Sequence, residues 1–181
     1  MIFAATPLKG AYTIETELFQ DDRGWFTRTF CKTEFLEISH KGEFVQINHS
    51  HTNQKGTIRG MHYQLQPFSE IKLIRCIRGE VFDVIIDIRK GSPTFLQYFS
   101  VTLSDENMKM IYIPEGFAHG FQTLRNHAEL IYHHTNFYTP GMEGGIRFND
   151  PAININWPEK VQMISEKDKN IPILSNAFQG I

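Results

Sequence analysis

The chain of 181 residues has little cysteine, no long uncharged apolar run and almost no net charge. Two cysteines, Cys31 and Cys76, are too few for a disulfide framework, and their apolar or aromatic neighbours make both read as buried free thiols. No segment is apolar enough for long enough to read as a membrane span. Met1-Ile2-Phe3-Ala4-Ala5-Thr6-Pro7 has neither the basic start nor the apolar core of an export signal. A formal charge of −2 excludes the broad basic surface of a nucleic-acid binder, although basic residues around short polar segments leave room for local anion pockets. Internal repeats, linkers and low-complexity stretches are missing too. With 41% hydrophobic and 21% charged residues, the chain reads as one soluble cytoplasmic domain spanning 1–181, with no membrane partner.

Short runs rich in β-branched and aromatic residues fill most of the chain: Tyr12–Glu17, Phe44–Asn48, Thr57–Tyr63, Lys72–Ile77, Glu80–Ile88, Gln97–Leu103, Lys109–Ile113, His119–Leu124 and Glu129–Asn136. Turn signals such as Arg78-Gly79, Gly91-Ser92-Pro93 and Pro114-Glu115-Gly116 bound them. Only Lys32–Ser39 suggests a short helix, and the tail from Pro158 reads as loops or short helices laid over strands. No long amphipathic helix alternates with the strands, so the pattern predicts an all-β sandwich or barrel. In the run Val81–Ile88, period two puts Val81, Asp83, Ile85 and Asp87 on one face and Phe82, Val84, Ile86 and Ile88 on the other. Two acids on the first face predict a wet interior able to hold a ligand.

Three segments set polar groups into apolar strands. In Arg59-Gly60-Met61-His62-Tyr63-Gln64, the imidazole of His62 is a residue type suited to a general base, while Arg59 offers a planar fork for phosphate. Strict alternation sends these two to opposite faces, and a bulge at Gly60 would bring them together. In Lys72–Ile77, Lys72 shares its face with Ile74 and Cys76, and an inward ammonium needs an anion or a developing oxyanion. In Leu130–Thr135, Tyr132 shares a face with Leu130 and His134, and a buried phenol can give a proton. Each also has a plain alternative: a core histidine, a surface arginine, a lysine snorkelling to water, a tyrosine with its hydroxyl at a rim. His49 and His51 form an H-x-H pair with His62 and His119 downstream, which raises metal binding. No carboxylate follows at short spacing and the run Asn48–Asn53 reads as a loop, so no metal is expected.

Further polar segments complete a series: Phe19-Gln20-Asp21-Asp22-Arg23-Gly24-Trp25-Phe26, Gln46-Ile47-Asn48-His49-Ser50, Gly79-Glu80-Val81-Phe82-Asp83-Val84, Asp87–Thr94, Ile113–Phe121, Asn149-Asp150-Pro151, Trp157-Pro158 and Ser165-Glu166-Lys167-Asp168. With the three above, in this order from about Phe19 to Leu174, they resemble the dTDP-4-dehydrorhamnose 3,5-epimerase family of the cupin superfamily. The resemblance implies a cupin jelly roll with a few short peripheral helices, a homodimer, and no metal or organic cofactor. The implied partner is a nucleotide-diphosphate 4-keto sugar. It implies His62 as the base that removes a proton alpha to the C4 ketone and Asp168 as the group orienting it, with Asp83 as an alternative. Tyr132 would return a proton on the opposite face of the ring, and Lys72 would stabilise the enolate oxygen. Arg23, Gln46, Asn48, Arg59 and His119 would hold the substrate, together with Phe26, Arg28 and Tyr138.

The residue types suit that chemistry independently: a base, an acid on the other side and a cation at the oxygen are what epimerisation beside a ketone requires. Arg28 stands where the family usually carries glutamate, and an arginine only donates. That suits a base presenting an acceptor, such as cytosine, and leaves a CDP- or GDP-linked sugar as an alternative to the family's thymidine substrate. A binding module without catalysis is the other alternative. Met61 replaces a usual leucine and His133 a common lysine.

Overall fold

A computed structural model describes all 181 residues, Met1–Ile181. Two sheets face one another in a cupin-type jelly roll. The first runs in the order β1 (Ile2–Ala5), β2 (Tyr12–Glu15), β10 (Met110–Ile113), β7 (Lys72–Arg78), β12 (Ala128–His134) and β5 (Gln46–Thr52). The second runs β13 (Glu143–Gly145), β6 (Thr57–Gln64), β11 (Phe117–Thr123), β8 (Glu80–Asp87) and β9 (Tyr98–Ser104), with β14 (Met163–Ile164) pairing parallel to β6. β3 (Leu18–Asp21) and β4 (Gly24–Thr27) form a separate hairpin. Helix is confined to a 3₁₀ turn at Glu34–Ile38 and one turn of α-helix, α1 (Glu166–Lys169), capped by Ser165.

Period-two alternation decides which side chains meet. Ile74, Cys76 and Leu130 of the first sheet pack against Val81, Ile85 and Phe121 of the second to form the inter-sheet core. The opposite face of β8, with Val84 and Ile86, is covered by the C-terminal segment through Ile153, Ile155 and Trp157. The outer face of the first sheet buries Ile14, Leu73 and Met110 beneath Phe35. No helix is long and apolar enough to cross a membrane.

Several boundaries differ from the sequence reading. β5 continues through His49-Ser50-His51-Thr52, which read as a loop, because each of these residues pairs with β12, from Ile131 back to Ala128. The hairpin β3–β4, the edge strand β1 and the short β13 and β14 lacked a distinct alternating pattern. Asp87 does not face a wet interior: its fully buried carboxylate is wrapped by the Arg89 backbone and guanidinium and by the hydroxyls of Ser92 and Thr94. It fixes the turn leaving β8. Cys76 is a buried thiol that burial pushes up to about 12, whereas Cys31 is only half-buried.

Candidate active site

A cavity of about 710 Å³ opens between the sheets. Arg59, His62 and His119 line it from β6 and β11 of the second sheet, and Asn48, Ser50, Lys72, Tyr132 and His134 line it from β5, β7 and β12 of the first. Arg59 and His62 reach the same cavity because β6 carries an extra residue. His62 pairs with His119 and Arg59 with Phe121, so three steps on β6 face two on β11. Gly60 allows this: its φ is +113°, and a Cβ there would sit 2.6 Å from the Gly120 Cα and 2.7 Å from the His119 carbonyl oxygen.

His62 Nε2 lies 2.7 Å from Asp168 Oδ1, and the Gly60 backbone N–H donates to Asp168 Oδ2 at 3.1 Å. Burial alone would raise the Asp168 carboxyl, but the His62 contact and the Gly60 N–H hold it below its usual range. A charged carboxylate at that distance assigns the proton to Nε2 and leaves Nδ1 as the basic atom of the ring. The His62 side chain remains 45% exposed and open to a ligand, whereas that of Asp168 is 5% exposed.

The opposite wall carries Tyr132, whose hydroxyl lies 3.0 Å from Ser50 Oγ. Burial raises its pKa strongly, so it keeps its proton at rest. Lys72 shares this wall, its side chain 11% exposed and its ammonium 3.2 Å from Glu70 Oε1. Asp83, the alternative partner for His62, engages His119 instead: Nε2 to Oδ2 is 2.9 Å. Register explains this, because Asp83 on β8 pairs with Phe121 on β11 and β8 has no direct pairing with β6. The Asp83 carboxyl is raised by complete burial, and its other oxygen has no partner.

The remaining sequence-predicted residues lie outside the cavity lining. Gln46 and Tyr138 stand beside it, the Tyr138 backbone N–H donating to Gln46 Oε1 at 3.1 Å and the Gln46 amide donating to Asn48 Oδ1 at 3.2 Å. Arg23 is exposed on the β3–β4 hairpin and paired with its neighbour Asp21. Phe26 is 68% exposed on the same hairpin. Arg28 follows it and donates to Glu34 Oε1 at 2.8 Å, so part of its fork is already occupied by an acid. His49 and His51, by contrast, line the cavity with His62 and His119, His49 bonding Glu129 and His51 stacking on His127. Ser50, His134 and Lys167 also line the cavity and Glu70 lies behind it, and none of the four was singled out from the sequence. For Glu70 the signal was its place two residues before Lys72, on the same side of an extended chain.

A model of the dTDP-4-dehydrorhamnose 3,5-epimerase family matches residues 5–176 of this chain. The dTDP-4-dehydrorhamnose 3,5-epimerase of Shigella flexneri is 48% identical over 166 residues, which is 91% of each chain. Among solved structures, dTDP-4-dehydrorhamnose 3,5-epimerase from Bacillus anthracis with TDP and PPi bound is similar with a TM-score of 0.92 and 38% identity, over 96% of this chain and 99% of that one. The dTDP-6-deoxy-D-glucose-3,5-epimerase of Legionella pneumophila, in complex with dTDP-4-keto-L-rhamnose, gives 0.87 and 42% identity over 92% and 89%.

Proposed function

The chain belongs to the dTDP-4-dehydrorhamnose 3,5-epimerase family and is a nucleotide-sugar epimerase, and we propose that His62 and Tyr132 divide its proton transfers between the two walls of the cavity. The substrate is a dTDP-linked 4-keto-6-deoxyhexose, in which the C4 ketone makes the protons on C3 and C5 acidic. His62 Nδ1 takes the proton from one face of the ring, and the Asp168 carboxylate stabilises the imidazolium that forms. The electron pair left on carbon moves onto the C4 oxygen, and the Lys72 ammonium stabilises that enolate. Tyr132 then gives its proton to the same carbon from the opposite face. The proton on His62 is lost to solvent, and Tyr132 regains one through the Ser50 hydroxyl beside it. Two rounds, at C3 and C5, convert the D-gluco configuration to L-rhamno.

The observation that carries this reading is that base and phenol stand on facing sheets of one cavity, with the ammonium on the phenol's wall. In heavy water the enzyme is expected to place deuterium at C3 and C5 of the product, read by proton NMR. His62→Ala should lose that exchange by 10²–10⁴-fold. Exchange at the parental rate in this variant would remove His62 as the base.

We also propose a cytoplasmic homodimer in which the β3–β4 hairpin of one copy completes the cavity of the other. The hairpin leaves Phe19, Trp25 and Phe26 each more than half exposed, an apolar surface that a monomer would rarely leave in water. Arg23, Phe26 and Arg28 all sit on or next to it, away from the cavity of their own chain. Mixing inactive His62→Ala and Arg23→Ala chains should restore activity, because some sites would then hold both intact residues. Failure of the mixture to recover, with both variants dimeric, would reject the shared site.

A further inference from the structure

Behind the cavity wall lies a carboxylate that the proton transfers do not use. Glu70 does not line the cavity, yet both of its oxygens are held by residues that do: Oε1 by the Lys72 ammonium at 3.2 Å and Oε2 by His134 Nδ1 at 2.7 Å. The side chains of Glu70 and His134 are only 8% and 9% exposed. Burial by itself would raise the Glu70 carboxyl, but the His134 hydrogen bond and the Lys72 charge hold it below its usual range. It therefore stays ionised, and it fixes the His134 tautomer with the proton on Nδ1.

With Nδ1 donating to Glu70, His134 Nε2 accepts from the Asn48 amide, 3.3 Å away. The Asn48 oxygen in turn accepts from Gln46 at 3.2 Å, and Gln46 accepts from the Tyr138 backbone N–H at 3.1 Å. The His134 ring also stacks on the Tyr132 ring, with centroids 6.2 Å apart and planes inclined by 19°. One buried carboxylate thus anchors a chain of contacts running from the enolate-stabilising ammonium to the amides at the cavity edge.

We infer that Glu70 and His134 are positioning residues for the epimerisation: Glu70 sets where the Lys72 ammonium stands, and His134 sets which way the Asn48 amide turns. Lys72 reaches into the cavity on a flexible four-carbon stem, and an unanchored ammonium would spread over several rotamers. Stabilising an enolate requires the charge at one place, and misplacement by about 1 Å costs on the order of 10²-fold. Asn48 has the same need in another form, since an amide presents a donor or an acceptor according to how it is flipped. The inference rests on the proposed roles of Lys72 and Asn48.

The test is steady-state kinetics on a dTDP-linked 4-keto-6-deoxyhexose with Glu70→Gln, Glu70→Asp and His134→Phe, alongside melting temperatures. Glutamine offers one acceptor oxygen; kept on His134, the closer partner, it turns its N–H₂ toward the Lys72 ammonium, donor against cation. A fall in kcat of about 10²-fold with KM within threefold is expected for Glu70→Gln, with Glu70→Asp recovering at least tenfold of the loss. His134→Phe keeps the ring against Tyr132 and removes both nitrogens, so KM should rise at least fivefold through Asn48. Parental kcat in Glu70→Gln, or equal losses in the glutamine and aspartate variants, would overturn the inference. Should Glu70→Gln not fold, an unchanged KM in His134→Phe overturns it and the expected rise upholds it. Lack of exchange in the unmodified enzyme would sink the reading beneath it, a result separate from any of these.

Discussion

Replacing Asp168 by asparagine alters the carboxylate by one heavy atom with almost no change in volume, yet it sets two hydrogen bonds against each other. Asp168 now accepts from His62 Nε2 at 2.7 Å with one oxygen and from the Gly60 N–H at 3.1 Å with the other. Asparagine has a single acceptor oxygen. If that oxygen stays with His62, its amide N–H₂ is aimed at the Gly60 N–H, donor against donor. If the amide flips, its N–H₂ donates to His62 Nε2 and drives the imidazole proton onto Nδ1, the atom that must abstract the substrate proton. The second arrangement satisfies every buried group, so it is the one expected to win. Catalysis would then lose both the correct tautomer and the charge that stabilises the imidazolium. Tautomer errors of this kind cost up to about 10⁴-fold, and at 1.36 kcal/mol per decade a loss of 10²–10⁴ is about 3–5 kcal/mol of transition-state stabilisation. Deuterium uptake at C3 and C5 measures it directly, with a melting curve to confirm the fold. Adding His62→Ala should cost little more, because the two residues act as one unit. Uptake within threefold of the parent in Asp168→Asn, or a double variant whose losses multiply, would refute this account of the pair.

Tyr132→Phe removes the phenol while leaving the base, so substrate should still exchange its proton with solvent while net inversion slows by at least 10²-fold. NMR of the substrate and product pools separates the two, and equal loss of both would count against Tyr132 as the opposite-face donor. Gly60→Ala should destabilise the fold by about 3 kcal/mol or more, since the methyl group meets backbone at 2.6 Å and φ is +113°; a melting temperature unchanged from the parent would contradict the packing argument. Asp87 tests pH dependence. Its carboxyl is held at about 2 against an ordinary 3.8, because the Arg89, Ser92 and Thr94 contacts outweigh its burial. The folded value lies below the unfolded one, so the contribution is complete above about pH 4 and disappears as pH falls through 2. At 1.36 kcal/mol per unit it is on the order of 2 kcal/mol at neutral pH. Asp87→Asn should therefore melt several degrees lower at pH 7, with the gap shrinking toward pH 2. A gap of constant size would show that the carboxylate's charge contributes nothing.

The hairpin and the cavity wall bear on different properties of the enzyme. Arg28, a pure donor in the sequence, is part-neutralised by Glu34 in the fold. That pairing weakens the case for a base chosen by a free arginine. The Glu70–His134 pair lies behind the cavity wall that carries Lys72 and Asn48.

Strand positions in the sheets were legible because burial on a pleated surface writes a period of two into the sequence. The runs at Thr57–Tyr63, Lys72–Ile77 and Glu80–Ile88 each became a strand with ends moved by one residue at most. That His62, Lys72 and Tyr132 would stand at a cavity was legible for another reason: a titratable or polar side chain on an apolar strand needs a partner or a ligand. Partners were a different matter. Whether His62 meets Asp168 or Asp83 depends on strand order across the second sheet and on where a single turn of helix docks, and both lie far apart along the chain. The extra residue in β6 that turns Arg59 and His62 the same way is a matter of register against β11, and Gly60 alone only permitted it. Glu70 and His134 look unremarkable in the sequence because they are separated by 64 positions; only the pairing of β7 with β12 sets Lys72 opposite His134 and brings the carboxylate to both. Local periodicity thus determined the central strands of both sheets and which side chains are out of place in them. Long-range pairing decided which of those side chains touch, because a hydrogen bond is fixed by position in space and carries no trace along the chain.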